Sequence, residues 1–304
     1  MTNPLRTSFL GKELETPLVL ASGVMDISYS GMLRCADAGA GMVTTKSLTY
    51  EKRKGHKGPV VAEYLGGFIN SMGLCNPGIE EGLKEIDEFK LRSEVPVIVS
   101  VFAADAEGFC KLIPYVNSSK ADFIELNLSC PNVADEFGVP LASSVSAVKE
   151  IVTEVAAESK LPFIAKLSPN TYNVTQIAET AIICGASAVN LINTLGPGMI
   201  IDINARKPVI SSKYGGVSGY AVKPIAVKLV YETYHKLKCP IIGTGGAATG
   251  EDVIEFLLAG AAVVGVGTAV YYRGVEVFTA MKQEIINYLE KNSFSGINEI
   301  LPIE

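Results

Sequence analysis

Cys130 sits in the run Leu126-Asn127-Leu128-Ser129-Cys130-Pro131-Asn132, held next to a proline and flanked by two amides. An unperturbed thiol titrates near ~8.5, so modest tuning lets it accept a proton close to neutrality. The chemistry on offer is proton removal from a bound ligand. The alternative is a cysteine that merely fills a buried loop. Two lysines, Lys46 and Lys166, and two asparagines, Asn127 and Asn193, lie where short apolar runs end. Turn positions ordinarily carry Asp, Gly or Ser, so these four point to a functional cluster. Gly245-Gly246 and Gly267-Thr268 close the last two runs. Glycines there let main-chain N–H groups approach phosphate oxygens, so the ligand or cofactor is expected to carry a phosphate.

Positioning these residues falls to eight apolar, β-branched runs at 18–21, 42–45, 97–101, 123–126, 163–167, 188–192, 241–243 and 263–266. Helix-like stretches follow at 28–39, 80–90, 105–118, 143–158, 173–184, 220–236, 249–259 and 275–290. Eight strand-then-helix units predict a (β/α)8 barrel, the TIM-barrel class, whose active sites gather at the C-terminal ends of the strands. An open doubly wound sheet is the competing fold. In chain order the run ends carry Ser22-Gly23, Lys46, Ser100, Asn127, Lys166, Asn193, Gly245-Gly246 and Gly267-Thr268. Before the first unit, residues 8–10 and 13–14 flank Gly11-Lys12, which predicts an N-terminal hairpin plugging the barrel's bottom. The remaining long connections read as loops inserted at the C-terminal face.

Composition narrows the function classes. The chain has 304 residues, 48% hydrophobic and 19% charged, with no compositional break, so one domain spanning 1–304 is expected. A net charge of −6 argues against a nucleic-acid partner, since phosphate contacts demand a basic surplus. The densest basic cluster, Lys52, Arg53, Lys54, His56 and Lys57, reads as a solvated loop, with a docking or lid role as the other possibility. The longest apolar stretch, 253–270, contains Glu255 and three glycines, so it reads as a helix and a buried strand rather than a membrane span. With no signal-type run at the start, a cytoplasmic location is expected. The six cysteines form no Cys-x-x-Cys pair and both histidines stand alone, so no metal site is expected. Cys35, Cys110 and Cys184 fall in helix-like stretches as small hydrophobes.

Taken together, the motifs resemble the catalytic subunit of a class 1 dihydroorotate dehydrogenase. The matching segments run from Pro17 to Thr268: Thr45-Lys46-Ser47, Asn70-Ser71-Met72-Gly73-Leu74 with Asn76-Pro77-Gly78, the Cys130 loop, and Lys166-Leu167-Ser168-Pro169-Asn170. They continue through Asn193-Thr194, Gly215-Gly216-Val217-Ser218-Gly219 and Gly243-Thr244-Gly245-Gly246. The resemblance implies FMN at the barrel mouth and oxidation of dihydroorotate to orotate in pyrimidine synthesis. It implies that Cys130 removes the C5 proton while hydride leaves C6 for the flavin. Ala21, Ser22, Gly23, Lys46, Ser47, Asn127, Lys166, Ile192, Gly219, Gly245, Gly246, Gly267 and Thr268 would then hold the cofactor. Lys166 would lie near the flavin edge where negative charge collects on reduction. Lys46 would bridge flavin and substrate. Asn70, Met72, Gly73, Leu74, Asn127, Asn132, Asn193 and Thr194 would hold the substrate.

The quinone-linked class uses serine as its base and carries an N-terminal membrane-associating extension, and neither feature appears here. The fumarate-linked subclass usually follows its cysteine loop with a Pro-Gly-Lys-Pro type segment, where this chain has Val133-Ala134-Asp135-Glu136-Phe137-Gly138. Gly198-Met199-Ile200-Ile201-Asp202-Ile203, followed by Lys207-Pro208-Val209-Ile210, resembles the NAD-linked 1B subclass. That resemblance implies a partner subunit carrying FAD and a 2Fe-2S cluster, in a homodimer or heterotetramer. Two rivals stand beside it. One is the FMN part of a dihydropyrimidine dehydrogenase. The other is a flavin-free phosphate-site lyase using Lys46 or Lys166 as a Schiff-base amine.

Overall fold

A strand buried on both faces must be apolar along its whole length, and each of the eight apolar runs forms such a strand. The computed structural model describes residues 3–128 and 144–304, so Cys130 and Asn132 lie outside the described residues. Strands are numbered in chain order. The first two, β1 (Thr7–Phe9) and β2 (Lys12–Leu14), form a hairpin, and β3 (Leu18–Leu20) and β4 (Met42–Thr44) begin the barrel. An insertion contributes β5 (Val61–Tyr64) and β6 (Gly67–Asn70). The barrel resumes with β7 (Val97–Val101), β8 (Phe123–Asn127), β9 (Phe163–Leu167) and β10 (Ala188–Leu191). A second insertion holds β11 (Leu195–Gly198), β12 (Ile201–Asp202), β13 (Lys207–Pro208) and β14 (Gly215–Ser218). The last barrel strands are β15 (Ile241–Thr244) and β16 (Val263–Val266). Every barrel strand pairs in parallel with the next one in the chain, and β16 pairs back onto β3 to close the ring. The open doubly wound sheet is thereby excluded.

Helices follow the strands where the sequence places them, with ends set by capping chemistry. The helix Tyr29–Ala38 starts at Ser28, whose hydroxyl accepts the Gly31 N–H, and stops at Gly39 with φ 116°. The expected 220–236 helix opens instead as a 3-10 turn, Tyr220–Val222, before the α-helix Lys223–Leu237. Pro224 explains the break. Lacking an N–H, it suits the first turn of a helix and not its interior. A short helix, Ala269–Arg273, follows β16 and has no counterpart in the sequence reading.

The hairpin plugs the barrel as expected, but its turn is Leu10-Gly11 rather than Gly11-Lys12. Both turn residues have positive φ, 46° and 81°, the type I′ geometry that matches strand twist, and it leaves Lys12 in the strand. Phe9 and Leu14 enter a lower layer made of Val19, Met42, Ile98, Phe123, Ile164, Ala188, Ile242 and Val263, one residue from each barrel strand. Phe9 meets Phe123 edge-on at 5.9 Å. Asp122 ties the plug in place, pairing with Lys12 at 2.8 Å and Lys90 at 2.7 Å while accepting the Val97 N–H.

Two residues further along each strand the side chains again point inward. This second layer is Ala21, Thr44, Ser100, Glu125, Lys166, Asn190, Thr244 and Gly265. The barrel is apolar at its floor and polar one step above it.

The inserted segments are more ordered than loops. Strands β11, β14, β6 and β5 form a four-stranded antiparallel sheet. Its members come from segments more than a hundred residues apart, with Gly216 opposite Asn70 and Ser218 opposite Phe68. The turn before β6 and the close β6–β14 approach require glycine. A Cβ on Gly67 would lie 2.0 Å from the Ser218 carbonyl oxygen.

The plug can be tested on its own. Phe9→Ala removes a fully buried ring and should cost about 3–5 kcal/mol in urea unfolding. Tyr172→Ala, at a fully exposed ring, should stay within about 0.5 kcal/mol of the parent. A near-neutral Phe9→Ala would mean the hairpin does not close the barrel energetically.

Candidate active site

The polar layer floors a cavity at the C-terminal ends of the barrel strands, roofed in part by the inserted sheet. It encloses about 1240 Å³ of space open to solvent. Its wall brings together Ala21, Ser22, Gly23, Lys46, Ser47, Asn127, Lys166, Ile192, Gly219, Gly245, Gly246, Gly267 and Thr268. Asn70, Met72, Leu74, Asn193 and Thr194 join them. Gly73 is not in this wall. Its φ of 66° turns it against His56, where a Cβ would meet the imidazole at 2.6 Å.

The two lysines sit differently. Lys166, near the end of β9, is almost fully buried, with Nζ 4.0 Å from the Glu125 carboxylate. Lys46 is half-buried, and its backbone N–H donates to the Asp26 carbonyl at 3.1 Å. The Asp26 side chain in turn accepts the Gly23 N–H at 2.5 Å. Burial pushes the Asp26 carboxyl above the usual carboxylate range, against the pull of the Lys46 ammonium and of its hydrogen-bond donors. Each cavity lysine therefore has a buried acid behind it.

The amides are fixed by their neighbours. Asn127 Nδ2 donates to Ser47 Oγ at 2.9 Å. Asn70, at the end of β6, reaches the Gly216 carbonyl at 3.4 Å and so depends on the inserted sheet. Asn193 Oδ1 accepts the Thr194 N–H at 2.8 Å. Asn170 clamps the segment that follows, donating to the Thr194 carbonyl and accepting the Gly196 N–H.

Ser100 does not reach the mouth, although it falls near a run end. It lies in the polar layer, bonding Ser47 Oγ at 2.9 Å and donating to Glu125 Oε1 at 2.9 Å. Strand alternation gives the mouth position on β7 to Phe102, which packs on Leu74. Sequence reasoning missed Glu125, Asn190 and Thr244 in this layer. The available signal was a charge inside the apolar run Phe123-Ile124-Glu125-Leu126, which a doubly buried strand does not tolerate without partners. It also missed the roof residues Phe68, Val217, Ser218 and Tyr271. Phe68 joins the inserted sheet to the short helix through ring contacts with Tyr271 at 5.3 Å and Tyr272 at 5.2 Å.

At the glycine turns, space is the controlling quantity. Gly246, with φ 85°, could not carry a Cβ without approaching the Gly219 carbonyl oxygen to 2.6 Å. Gly23 has φ 111° and open space where a Cβ would go. A brace holds the segment after Gly246. Asp252 Oδ2 accepts the N–H groups of Ala248 and Thr249 at 2.9 Å, and Oδ1 takes the Lys223 ammonium at 2.6 Å. Arg273 donates to the Ala248 carbonyl at 2.6 Å and pairs with Glu284. Burial alone would raise the Asp252 pKa, but these donors hold it below the usual range.

Basic residues 52–57 lie outside the wall, and the loop is pinned rather than loose. Arg53 and Asn76 exchange backbone hydrogen bonds, and His56 Nδ1 lies 2.9 Å from Ser71 Oγ. Among the described residues, no cluster of His, Cys, Asp and Glu could hold a metal ion, and no helix is long and apolar enough to cross a membrane.

Comparison with known proteins gives a consistent result. The family model described as dihydroorotate dehydrogenase matches residues 4–289. A relative from Methanocaldococcus jannaschii, named dihydroorotate dehydrogenase B (NAD(+)), catalytic subunit, is 40% identical over 294 residues, covering 96% of this chain and 95% of its own. Relatives of the same name from Thermoplasma acidophilum and Pyrococcus horikoshii are 42% and 43% identical, each over 98% of this chain and 98% and 96% of their own. The crystal structure of a ligand-free DHODH from Eimeria tenella superposes with a TM-score of 0.85 at 22% identity, over 99% of this chain and 91% of that one. At that identity it supports the fold alone.

The brace makes a pH prediction. Because the folded Asp252 pKa is lowered, its stabilisation is present above the ordinary carboxylate value and is lost as pH falls through the folded one. Asp252→Asn should cost about 1.5–3 kcal/mol at neutral pH. That deficit should shrink below pH about 4. Paired urea titrations at several pH values check this, and a deficit independent of pH would exclude the charge as its source.

Proposed function

The chain belongs to the dihydroorotate dehydrogenase family, and from that premise we propose that it oxidises (S)-dihydroorotate to orotate in cytoplasmic pyrimidine biosynthesis, as a single FMN-binding barrel domain spanning residues 1–304. The observation that carries this reading is the convergence of Lys46, Lys166, Asn70, Asn127, Asn193 and Thr194 on one cavity. The chain leaves that cavity through buried Leu128, two residues before Cys130.

The lining of the cavity suits FMN. Gly23 and Gly267 keep side chains out of the space a flat ring needs, a Cβ at Gly267 meeting only Ala21, at 3.5 Å. Main-chain N–H groups at Gly245-Gly246 and Gly267-Thr268 would hold the phosphate. Ala21, Ser22, Ser47, Asn127, Ile192 and Gly219 complete the cofactor's wall. When bound, FMN supplies a two-electron acceptor for the hydride from the substrate's C6.

The chain's own residues do the rest. Cys130 Sγ takes the proton from C5, which is the general-base half of the oxidation. Lys166 holds a fixed ammonium at the cavity floor, opposing negative charge that develops above it. Lys46, in the cavity wall, would bridge cofactor and substrate. Asn70, Asn127, Asn132, Asn193 and Thr194, with Met72 and Leu74 around them, would present donors and acceptors to a flat ring bearing N–H and C=O groups. Residues paired with their neighbours before the ligand arrives lose little entropy in binding it.

Electrons then leave the chain. The relatives' name couples a catalytic subunit to NAD(+), and on this reading a partner bearing FAD and a 2Fe-2S cluster supplies that route here, in a homodimer or heterotetramer. The chain offers no Gly-x-Gly-x-x-Gly fingerprint opening a helix after a strand to bind a dinucleotide itself.

Anaerobic mixing with dihydroorotate tests the reading. The protein should purify yellow and bleach on mixing, and a colourless protein, or one that dihydroorotate fails to bleach, would overturn it. Cys130→Ala should keep FMN yet slow that bleaching by about 10²–10⁴-fold. Cys130→Ser should regain part of it with a more alkaline optimum. In steady state the isolated chain should reduce artificial dyes but use NAD poorly. Robust NAD reduction by the chain alone would remove the partner from the scheme.

A further inference from the structure

We propose that Glu125 is a positioning residue whose buried negative charge, set beneath Lys166, lowers the reduction potential of the flavin above it. This rests on the FMN site proposed above. Glu125 is fully buried in the middle of β8, facing the barrel axis one layer below the cavity. A carboxylate in that place is costly unless its oxygens are satisfied, and here both are. Ser100 Oγ donates to Oε1 at 2.9 Å and Asn190 Nδ2 donates to Oε2 at 2.7 Å. The Lys166 ammonium stands 4.0 Å from Oε1, too far for a hydrogen bond but close enough to feel the charge in a poorly screened interior.

The surrounding bonds show that an anion is the group this layer is built around. The Ser100 hydroxyl is spent on Glu125, so at its 2.9 Å contact with Ser47 it accepts. The Ser47 hydroxyl is then spent on Ser100, and Ser47 accepts from Asn127 Nδ2. On the other side, Thr244 Oγ1 donates to Asn190 Oδ1 at 2.8 Å, which leaves Asn190 Nδ2 for Glu125. Two chains of donors start at cavity-wall residues, Asn127 and Thr244, and both terminate on this carboxylate. A glutamine could not end both, because its NH₂ would face either Ser100 or Asn190 as a second donor. Gly265 leaves the space that Thr244 needs, since a Cβ there would lie 2.1 Å from Thr244 Oγ1.

The consequence concerns turnover. Two unopposed lysines facing a flavin would favour its anionic reduced form and hold the electrons there. Glu125 offsets the more deeply buried of the two, so the reduced cofactor can pass its electrons on. This role works through Lys166 and needs no contact with either ligand.

Spectroelectrochemical titration of FMN-loaded protein at pH 7 tests the proposal. Glu125→Gln should raise the midpoint potential by at least a tenfold change in the reduced-to-oxidised equilibrium, about 30 mV for a two-electron couple. Glu125→Asp keeps the charge while shortening the side chain, so it should stay near the parent potential even if it loses stability. A Glu125→Gln potential equal to or below the parent's would overturn the proposal. So would a Glu125→Asp shift of about 30 mV or more, a criterion that also decides the matter if the Gln variant fails to fold. Parent protein that carries no flavin would take down the FMN site and this inference together. Parent protein that is loaded and bleached by dihydroorotate, with unmoved variant potentials, would remove only the role of Glu125.

Discussion

Inside the barrel a buried carboxylate, Glu125, lies beneath a buried ammonium, Lys166, and the polar part of the structure is arranged around them. Closing eight parallel strands turns alternate side chains of every strand into the interior, where they stack in layers. The lower layer is filled with apolar groups and one plugging hairpin. The next must be polar if charged groups are to face a ligand, yet it is cut off from water. Any polar group there lacking a partner would cost about 1–3 kcal/mol. The sequence meets this with complementary lengths: a glutamate long enough to reach the axis, two asparagines with both donor and acceptor, and hydroxyls on Ser47, Ser100 and Thr244 to link them. Among the bonded members of this layer rigidity follows from that satisfaction, since none of them can turn without breaking the bonds of its neighbours, while the buried Thr44 hydroxyl has no hydrogen-bond partner among the described residues.

The mouth is held by a different device. Its glycine turns owe their shape to backbone freedom and close approach, which by themselves give no stiffness. Stiffness comes from behind, where Asp252 caps its own helix and gathers two N–H groups and the Lys223 ammonium. Arg273 holds the same segment from the side through the Ala248 carbonyl. The roof needs glycine only where β6 and β14 approach closely, and it owes nothing to charge. It is held by β pairing between two insertions and by tilted ring contacts of Phe68 with Tyr271 and Tyr272. Floor, mouth and roof are thus stabilised independently, and a ligand meets all three at once.

What the sequence made legible follows the same division. The barrel strands were readable because burial on both faces forces an apolar run, and the helices because their caps are local. Lys46, Lys166, Asn127 and Asn193 stood out because strand ends rarely need those residues. Glu125 was visible as a charge in an apolar strand, but its partners Asn190 and Ser100 come from other strands, and their meeting depends on barrel register. The inserted sheet was opaque for a related reason. Strands such as Leu195–Gly198 and Gly215–Ser218 are short and rich in glycine, and their order comes from partners far away in the chain. The hairpin turn shifted by one residue because positive φ at Leu10 follows from strand twist, which composition does not record. Cys130 is the reverse case, since its loop motif is its whole claim on attention.

Charge distribution joins the scales. The chain carries a net charge of −6, so at long range an anionic ligand is repelled rather than steered in. At physiological salt that repulsion fades beyond about 8 Å, and recognition passes to groups in the cavity. There the lysines are backed by acids of different character. Glu125 is fully satisfied by donors behind Lys166, while burial pushes Asp26, behind Lys46, toward its neutral form. Lys46 is the more exposed of the two lysines. A negatively charged ligand entering from the mouth meets the more exposed lysine first, and the deeper Glu125–Lys166 pair is left to act on what lies at the floor.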